Sequence, residues 1–365
     1  MAPARPPRVL GAVDDAGDDA DAEPAPPLRR TSAASSDAAD PELRTWSSDT
    51  PDVGRWGAAS TAGSYHTGAR KVNQDAVSWY VGGPRSAPPA RTAAAARTGA
   101  PTGAPTGALT GAVVAAVAVC DGHGDAGEVV SSLVRRLAVA HLLSARALVP
   151  QAAEHAFAAA AREVKEELGR VAAFSGCTCV AAALREDGVL VVCNVGDSRA
   201  VGCAPGRGGR EPVSVALSHD HKPDRPDELE RIQRAGGVVT RGRGDVPRVA
   251  GLALSRAFGD AAAEPHGVTA QPEVLVTSAS EFDFVVLASD GVWDVMDSEE
   301  VVAFVRARLL RADAPGPEPP AAVAAELVAR CRARWIADTG AQYADDVTAC
   351  VWDLRALRRP ERAKL

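Results

Sequence analysis

Ala112-Val-Val-Ala-Ala-Val-Ala-Val-Cys120 runs directly into Asp121-Gly-His-Gly124. An uninterrupted apolar stretch of small and β-branched residues, closed by a turn signal, reads as a buried strand. A carboxylate then stands at its end. The arrangement recurs along the chain. The apolar residues 189–195 lead through Gly196 to Asp197, and residues 282–288 lead through Ser289 to Asp290-Gly-Val-Trp-Asp294. Asp345 and Asp346 directly precede residues 347–352, and Asp75 opens Asp-Ala-Val-Ser-Trp-Tyr. One Asp at a strand end is ordinarily a turn former or a helix N-cap. Five such positions call for a shared explanation.

Around these strands the pattern predicts others at 178–184, 213–217 and 274–277, with the Asp75 strand covering 75–81. Helical spacing predicts helices at 125–145, 150–169, 225–235, 298–310 and 320–337. In the second of these, Phe157, Val164 and Leu168 share a face, Pro150 lies near the start and Gly169 suits the C-terminal cap. The helices cluster instead of alternating with strands. That argues against a doubly wound parallel sheet and for an α+β fold of layered antiparallel sheets with helices outside.

Two stretches read differently. Residues 1–57 are rich in Pro, Ala, Asp and Ser without hydrophobic period, which predicts a disordered acidic arm. Residues 82–111 end in a repeated Thr-Gly-Ala and predict a low-complexity surface insertion. A folded domain is therefore expected over 58–356, followed by a basic tail at 357–365.

The chain has 365 residues and a formal net charge of −7. The arm holds 11 acidic residues against 6 Arg, so most of the excess lies there. An acidic balance without a basic aromatic groove speaks against a nucleic-acid partner. No apolar run is long enough to predict a membrane span. No signal-peptide core opens the chain, and Ala2 after Met1 does not invite myristoylation. Seven Cys is an odd number, and Cys177-Thr-Cys179 is not a zinc spacing. Buried reduced thiols in an intracellular protein are expected.

Carboxylates packed together repel and raise one another's pKa values. A divalent cation removes that conflict, and oxygen-only ligands suit Mg²⁺ or Mn²⁺. Gly122 lets the backbone approach closely, so its carbonyl can join the set. Two such ions can activate a shared water. Arg70, five residues before Asp75, offers a planar fork for phosphate oxygens. His123 can donate a proton to an alkoxide leaving group.

Nine segments in order carry a resemblance. They are Arg70-Lys-Val-Asn-Gln-Asp75, Asp121-Gly-His-Gly124, Ser175-Gly-Cys-Thr-Cys179, Asn194-Val-Gly-Asp-Ser-Arg199, Leu217-Ser-His-Asp-His-Lys-Pro223, Ile232-Gln-Arg-Ala-Gly-Gly237, Leu252-Ala-Leu-Ser-Arg-Ala-Phe-Gly-Asp260, Ala288-Ser-Asp-Gly-Val-Trp-Asp294 and Asp345-Asp-Val-Thr348. Together they resemble the metal-dependent protein phosphatases of type 2C. The resemblance implies a four-layer α-β-β-α sandwich, two antiparallel sheets flanked by helices. It implies two Mn²⁺ or Mg²⁺ ions, held by Asp75, Asp121, Gly122, Asp290 and Asp345, with Asp121 bridging. It implies Arg70 as the phosphate grip, His123 as the general acid, and Asp197 and Asp294 as ligands of a weak third metal. Residues 224–248 correspond to the family's mobile flap. The expected activity is hydrolysis of phosphoserine and phosphothreonine in proteins, by in-line attack of a metal-bridging hydroxide, with phosphoproteins as partners and a monomeric chain.

Some positions depart from the family pattern. Gln74 replaces a common Glu, which alters charge near the metals. Asp125 replaces a Gly and is expected to N-cap the following helix. Cys177 is expected to pack in the core, Asp346 to be solvated, and His219 and His221 to be structural. The alternative functions are a non-catalytic pseudophosphatase serving as a binding module and a metal-dependent hydrolase of nucleotides or nucleic acid. The expected location is cytoplasmic or nuclear. The terminal Ala363-Lys364-Leu365 resembles a peroxisomal address and offers another.

Overall fold

The computed structural model describes residues 43–357, apart from 51–53, 66–70, 82–110, 146, 207–210, 242 and 311–317. Most of the arm, the insertion, Arg70 and the tail with Ala363-Lys364-Leu365 lie outside the described residues.

The eight predicted strands and five predicted helices all form, with ends shifted by at most two residues. A five-stranded sheet runs in the order Glu273–Ser278, Val189–Val195, Cys179–Arg185, Val113–Cys120, Ala76–Val81. A six-stranded sheet runs Arg44–Thr50, Gly54–Thr61, Val347–Asp353, Phe284–Ala288, Arg199–Ala204, Val213–Ala216. Every neighbouring pair in both is antiparallel.

The period of two along each strand builds four layers. In Val113–Cys120, the odd residues Ala115, Val117 and Val119 enter a core shared with Trp56, Leu287 and Trp352 of the other sheet. The even residues Ala116, Ala118 and Cys120 face Val130, Leu142 and Phe157 of helices Gly127–Ser144 and Pro150–Leu168. The six-stranded sheet does the same in mirror order. Phe284, Val286, Ala349 and Val351 pack on Val301, Val305, Leu327 and Val328 of helices Ser298–Leu309 and Pro320–Asp338. The chain is therefore the expected α-β-β-α sandwich. All seven cysteines are buried, and none forms a disulfide.

Several expectations are corrected. The fold begins before residue 58, because Arg44–Thr50 and Gly54–Thr61 are strands of the six-stranded sheet. Neither looks like a strand in isolation. Their burial comes from neighbours: Gly57 lies so close to the start of helix Pro320–Asp338 that a Cβ there would stand 2.1 Å from Ala321 N. Strand Arg199–Ala204 also escapes the hydrophobic pattern, with Arg199 and Gly202 interrupting it. Asp125 is not an N-cap. The cap is Ala126, which makes no side-chain cap bond, and its N–H donates instead to Ser175 Oγ at 3.1 Å.

The segment taken as a flap contains helix Pro226–Arg234 and a hairpin of Val239–Arg241 with Pro247–Val249. A small separate core of Ile232, Val249, Leu254, Ala257, Ala263 and Val268 supports it.

Candidate active site

Antiparallel pairing puts the carboxylates at one end of the sandwich. Ala76 pairs with Cys120, so Asp75, just before one strand, lies beside Asp121, just after the other. In the facing sheet Ala288 pairs with Ala349, which brings Asp290 to the same end as Asp345 and Asp346. Ser289 ties the two sheets together there. Its Oγ donates to Asp75 Oδ2 at 2.8 Å and accepts from Thr348 N at 3.1 Å.

Asp121 occupies the centre of the group. Its N–H donates to Thr178 Oγ1 at 3.1 Å, and its carbonyl accepts from Thr178 N at 2.8 Å. Its carboxyl lies close enough to those of Asp75 and Asp290 for their charges to act on it. Buried carboxylates this close repel one another when all are ionised, so the group must hold protons or meet positive charge. The pKa shifts agree. Burial first, then the charges of Asp75 and Asp290, pushes Asp121 well above the usual carboxylate range. Burial, Asp197 and Asp345 do the same to Asp290. Burial and the Asp346 charge raise Asp75 to about 7. Asp75 Oδ1 and Asp290 Oδ1 are buried without a hydrogen-bond partner.

This donor set fits a hard divalent cation. It is all oxygen, it carries excess negative charge, and it holds two buried acceptor atoms that no protein group satisfies. Among the described residues, no three His, Cys, Asp or Glu side chains form a ready-made ligand cage. Two lysines explain part of this. Asp345 Oδ1 is 2.8 Å from Lys71 Nζ, and Asp197 Oδ2 is 2.6 Å from Lys222 Nζ. Asp294 closes the one-turn helix Asp290–Trp293 and is exposed. With Asp197 and Asp290 it acts electrostatically on Lys222.

Gly122 is where the sequence places it for close approach. Its N–H donates to Gln74 O at 3.1 Å, and a Cβ would lie 2.4 Å from Gly127 O. Gln74 braces this turn, since Nε2 donates to Gly124 O at 3.0 Å and to Glu128 Oε2 at 3.4 Å. His123 is half-buried, with Nε2 against Asp260 Oδ2. His221 is fully buried and bonds Gly196 through Nδ1. Cys177 is in the core, as expected.

Asp346 overturns its expected solvation. It is 3% exposed, and its two oxygens accept from Gly63 N at 2.6 Å and Gln74 N at 3.0 Å. It holds the Gln74-Asp75 backbone in place. Sequence reasoning also assigned no role to Lys71, Lys222 or Asp260. All three lie inside the nine quoted segments, so position in those segments was the available signal. Their partners are distant in sequence and carried none.

Residues 112–340 match the family model described as protein phosphatase 2C. The chain is 44% identical over 191 residues to probable protein phosphatase 2C 68 of Oryza sativa subsp. japonica, covering 49% of this chain and 45% of that protein. It is 50% identical over 133 residues to probable protein phosphatase 2C 78 of Arabidopsis thaliana, covering 36% and 30% respectively. The matched part thus spans less than half the length of these relatives. The crystal structure of a serine-threonine phosphatase 2C from Toxoplasma gondii superposes with a TM-score of 0.61 at 23% identity, over 84% of this chain and 98% of that one. At that identity the likeness speaks for the fold.

Proposed function

The chain belongs to the protein phosphatase 2C family, and from that membership we propose that it hydrolyses phosphoserine and phosphothreonine in protein substrates with Mn²⁺ or Mg²⁺. The observation that carries this reading is the buried, mutually repelling group of Asp75, Asp121 and Asp290, left with two unsatisfied buried oxygens. These residues would hold the cations, with Gly122 O and Asp345 completing the set. When bound, two divalent cations supply an activated water and offset the charge of a phosphoryl group.

The chain's own groups do the remaining work. Ser289 and Thr178 hold Asp75 and Asp121 at fixed positions. Asp346 fixes the backbone that carries Asp75. His123 gives a proton to the departing serine or threonine oxygen. Arg70 grips the phosphate by its two-pronged guanidinium. Asp197 and Asp294 would hold any third, weaker ion. The non-catalytic alternative gains no support, because Gln74, its only prompt, is engaged in bracing the Gly124 turn.

The test is phosphate release from a phosphothreonine peptide by the full chain supplied with Mn²⁺. Turnover that EDTA abolishes, and that Asp121→Asn and Asp290→Asn lack, is expected. A folded, Mn²⁺-supplied chain that releases no phosphate overturns the reading.

A further inference from the structure

Three two-residue strands, Gly122–His123, Gly176–Cys177 and Phe258–Gly259, form a narrow sheet of their own. The pairing sets His123 opposite Gly176 and Gly176 opposite Gly259. The next residue is Asp260. Its Oδ2 lies 2.5 Å from His123 Nε2, although the two residues are 137 apart in sequence. The Asp260 side chain is 5% exposed.

The surroundings are shaped for this contact. A Cβ at Gly176 would stand 2.1 Å from Asp260 Oδ2, so only glycine leaves room for the carboxylate. Asp260 itself is left-handed, with φ +45°. A residue with a Cβ keeps that conformation where its neighbours over-determine it, at a cost of roughly 1–3 kcal/mol. Here the neighbours are Ser175 O, which accepts from Asp260 N at 3.1 Å, and Ala263 N, which donates to Asp260 O at 2.7 Å.

We propose that Asp260 is the positioning residue of His123. Its carboxylate accepts Nε2–H, fixes the plane and tautomer of the ring, and leaves Nδ1 as the nitrogen free to serve the substrate. A buried carboxylate that orients an imidazole is an established way to set which nitrogen acts. This inference rests on the phosphatase reading. As the phosphorus–oxygen bond breaks, its electron pair goes to the serine or threonine oxygen. That oxygen takes the proton from Nδ1 of the imidazolium, the ring becomes neutral, and the Nε2 proton remains on the ring, donated to Asp260.

The experiment uses the full chain with Mn²⁺ and two substrates, p-nitrophenyl phosphate and phenyl phosphate. Only the second has a leaving group that depends strongly on a proton. Asp260→Asn should lower kcat on phenyl phosphate roughly 10- to 100-fold, part of the roughly 100- to 10,000-fold that acid catalysis supplies, and change p-nitrophenyl phosphate turnover less than about threefold. KM should hold for both. His123→Ala should show the same split, and the double variant should be no worse. Equal losses on both substrates, or losses that multiply, overturn the proposal.

A second readout needs no variant to fold. The imidazole ¹⁵N–¹H spectrum of the unaltered chain should show His123 protonated at Nε2; an unprotonated Nε2 overturns the pairing. Absence of p-nitrophenyl phosphate turnover by the unaltered chain overturns the phosphatase reading instead, and the spectrum then decides the pairing alone.

Discussion

Lys71 Nζ is 2.8 Å from Asp345 Oδ1 and 3.2 Å from the Tyr343 hydroxyl. Burial pushes the lysine pKa down, but the charges of Asp345 and Asp346 more than reverse it, so the ammonium persists. A fixed cation therefore stands against one of the carboxylates assigned to the metals. It offsets the cluster's charge and would compete with a bound ion for Asp345.

Lys71→Met should therefore tighten Mn²⁺ binding. Removing a unit positive charge beside a carboxylate that would hold a divalent ion should raise affinity at least about tenfold. Calorimetric titration of the full chain measures this. Unchanged or weaker binding would show that Lys71 supports the site and does not compete with the metal.

Asp121→Asn should abolish turnover and yet stabilise the metal-free chain. Its carboxyl is raised by burial and by Asp75 and Asp290, so ionising it opposes folding. The sign follows from linkage: a raised folded-state pKa costs stability above the unfolded value, near 3.8, and nothing well below it. At pH 8 without metal the melting temperature should rise by about 2–4 °C. At pH 3 the difference should vanish, and added Mn²⁺ should stabilise the variant less than the parent. A lower melting temperature for metal-free Asp121→Asn at pH 8 would refute the repulsion argument.

Glu228 predicts the opposite pH dependence. It is 1% exposed, on the buried side of helix Pro226–Arg234. Burial alone would raise its pKa, but hydrogen bonds from Arg256, Arg231 and Ser255 bring it down to about 2. Its contribution should be complete above about pH 4.5 and lost as pH falls through about 2. Glu228→Gln leaves arginines with a weaker partner, so it should cost about 3 kcal/mol at pH 7. Urea unfolding across pH 2.5–7 should show that difference shrinking on the acid side. A constant difference would contradict the assignment.

Gly57→Ala tests whether the first two strands belong to the fold. The added Cβ would meet Ala321 N at 2.1 Å and Ala321 Cα at 2.3 Å, both backbone atoms. Overpacking of that kind should cost about 2–3 kcal/mol, readable by urea denaturation. A neutral substitution would return residue 57 to the solvated arm.

The most legible strands are continuous runs of apolar residues such as Val113–Cys120 and Phe284–Ala288, because such a run needs no partner to be recognised. Gly54–Thr61 was not legible. Its small residues matter for how closely helix Pro320–Asp338 can approach, and that is a property of the neighbour. In the site, Asp75, Asp121, Asp290 and Asp345 could be named from their places at strand ends. Asp346 could not be distinguished from a surface carboxylate, since its two backbone donors, Gly63 and Gln74, are 283 and 272 residues away.

The sequence by itself determined the apolar period, and with it the two-sided strands, the layered α+β class and the acidic residues that close the strands. It also determined the ordered motifs that mark the family. Tertiary structure alone decided which charges meet. Antiparallel pairing gathered the carboxylates at one end, Lys71 and Lys222 took up two of them, and the narrow three-stranded sheet laid Asp260 against His123. Periodicity is local and survives in the chain as written. Electrostatic coupling falls off with distance in space, and that distance exists only once the chain has folded.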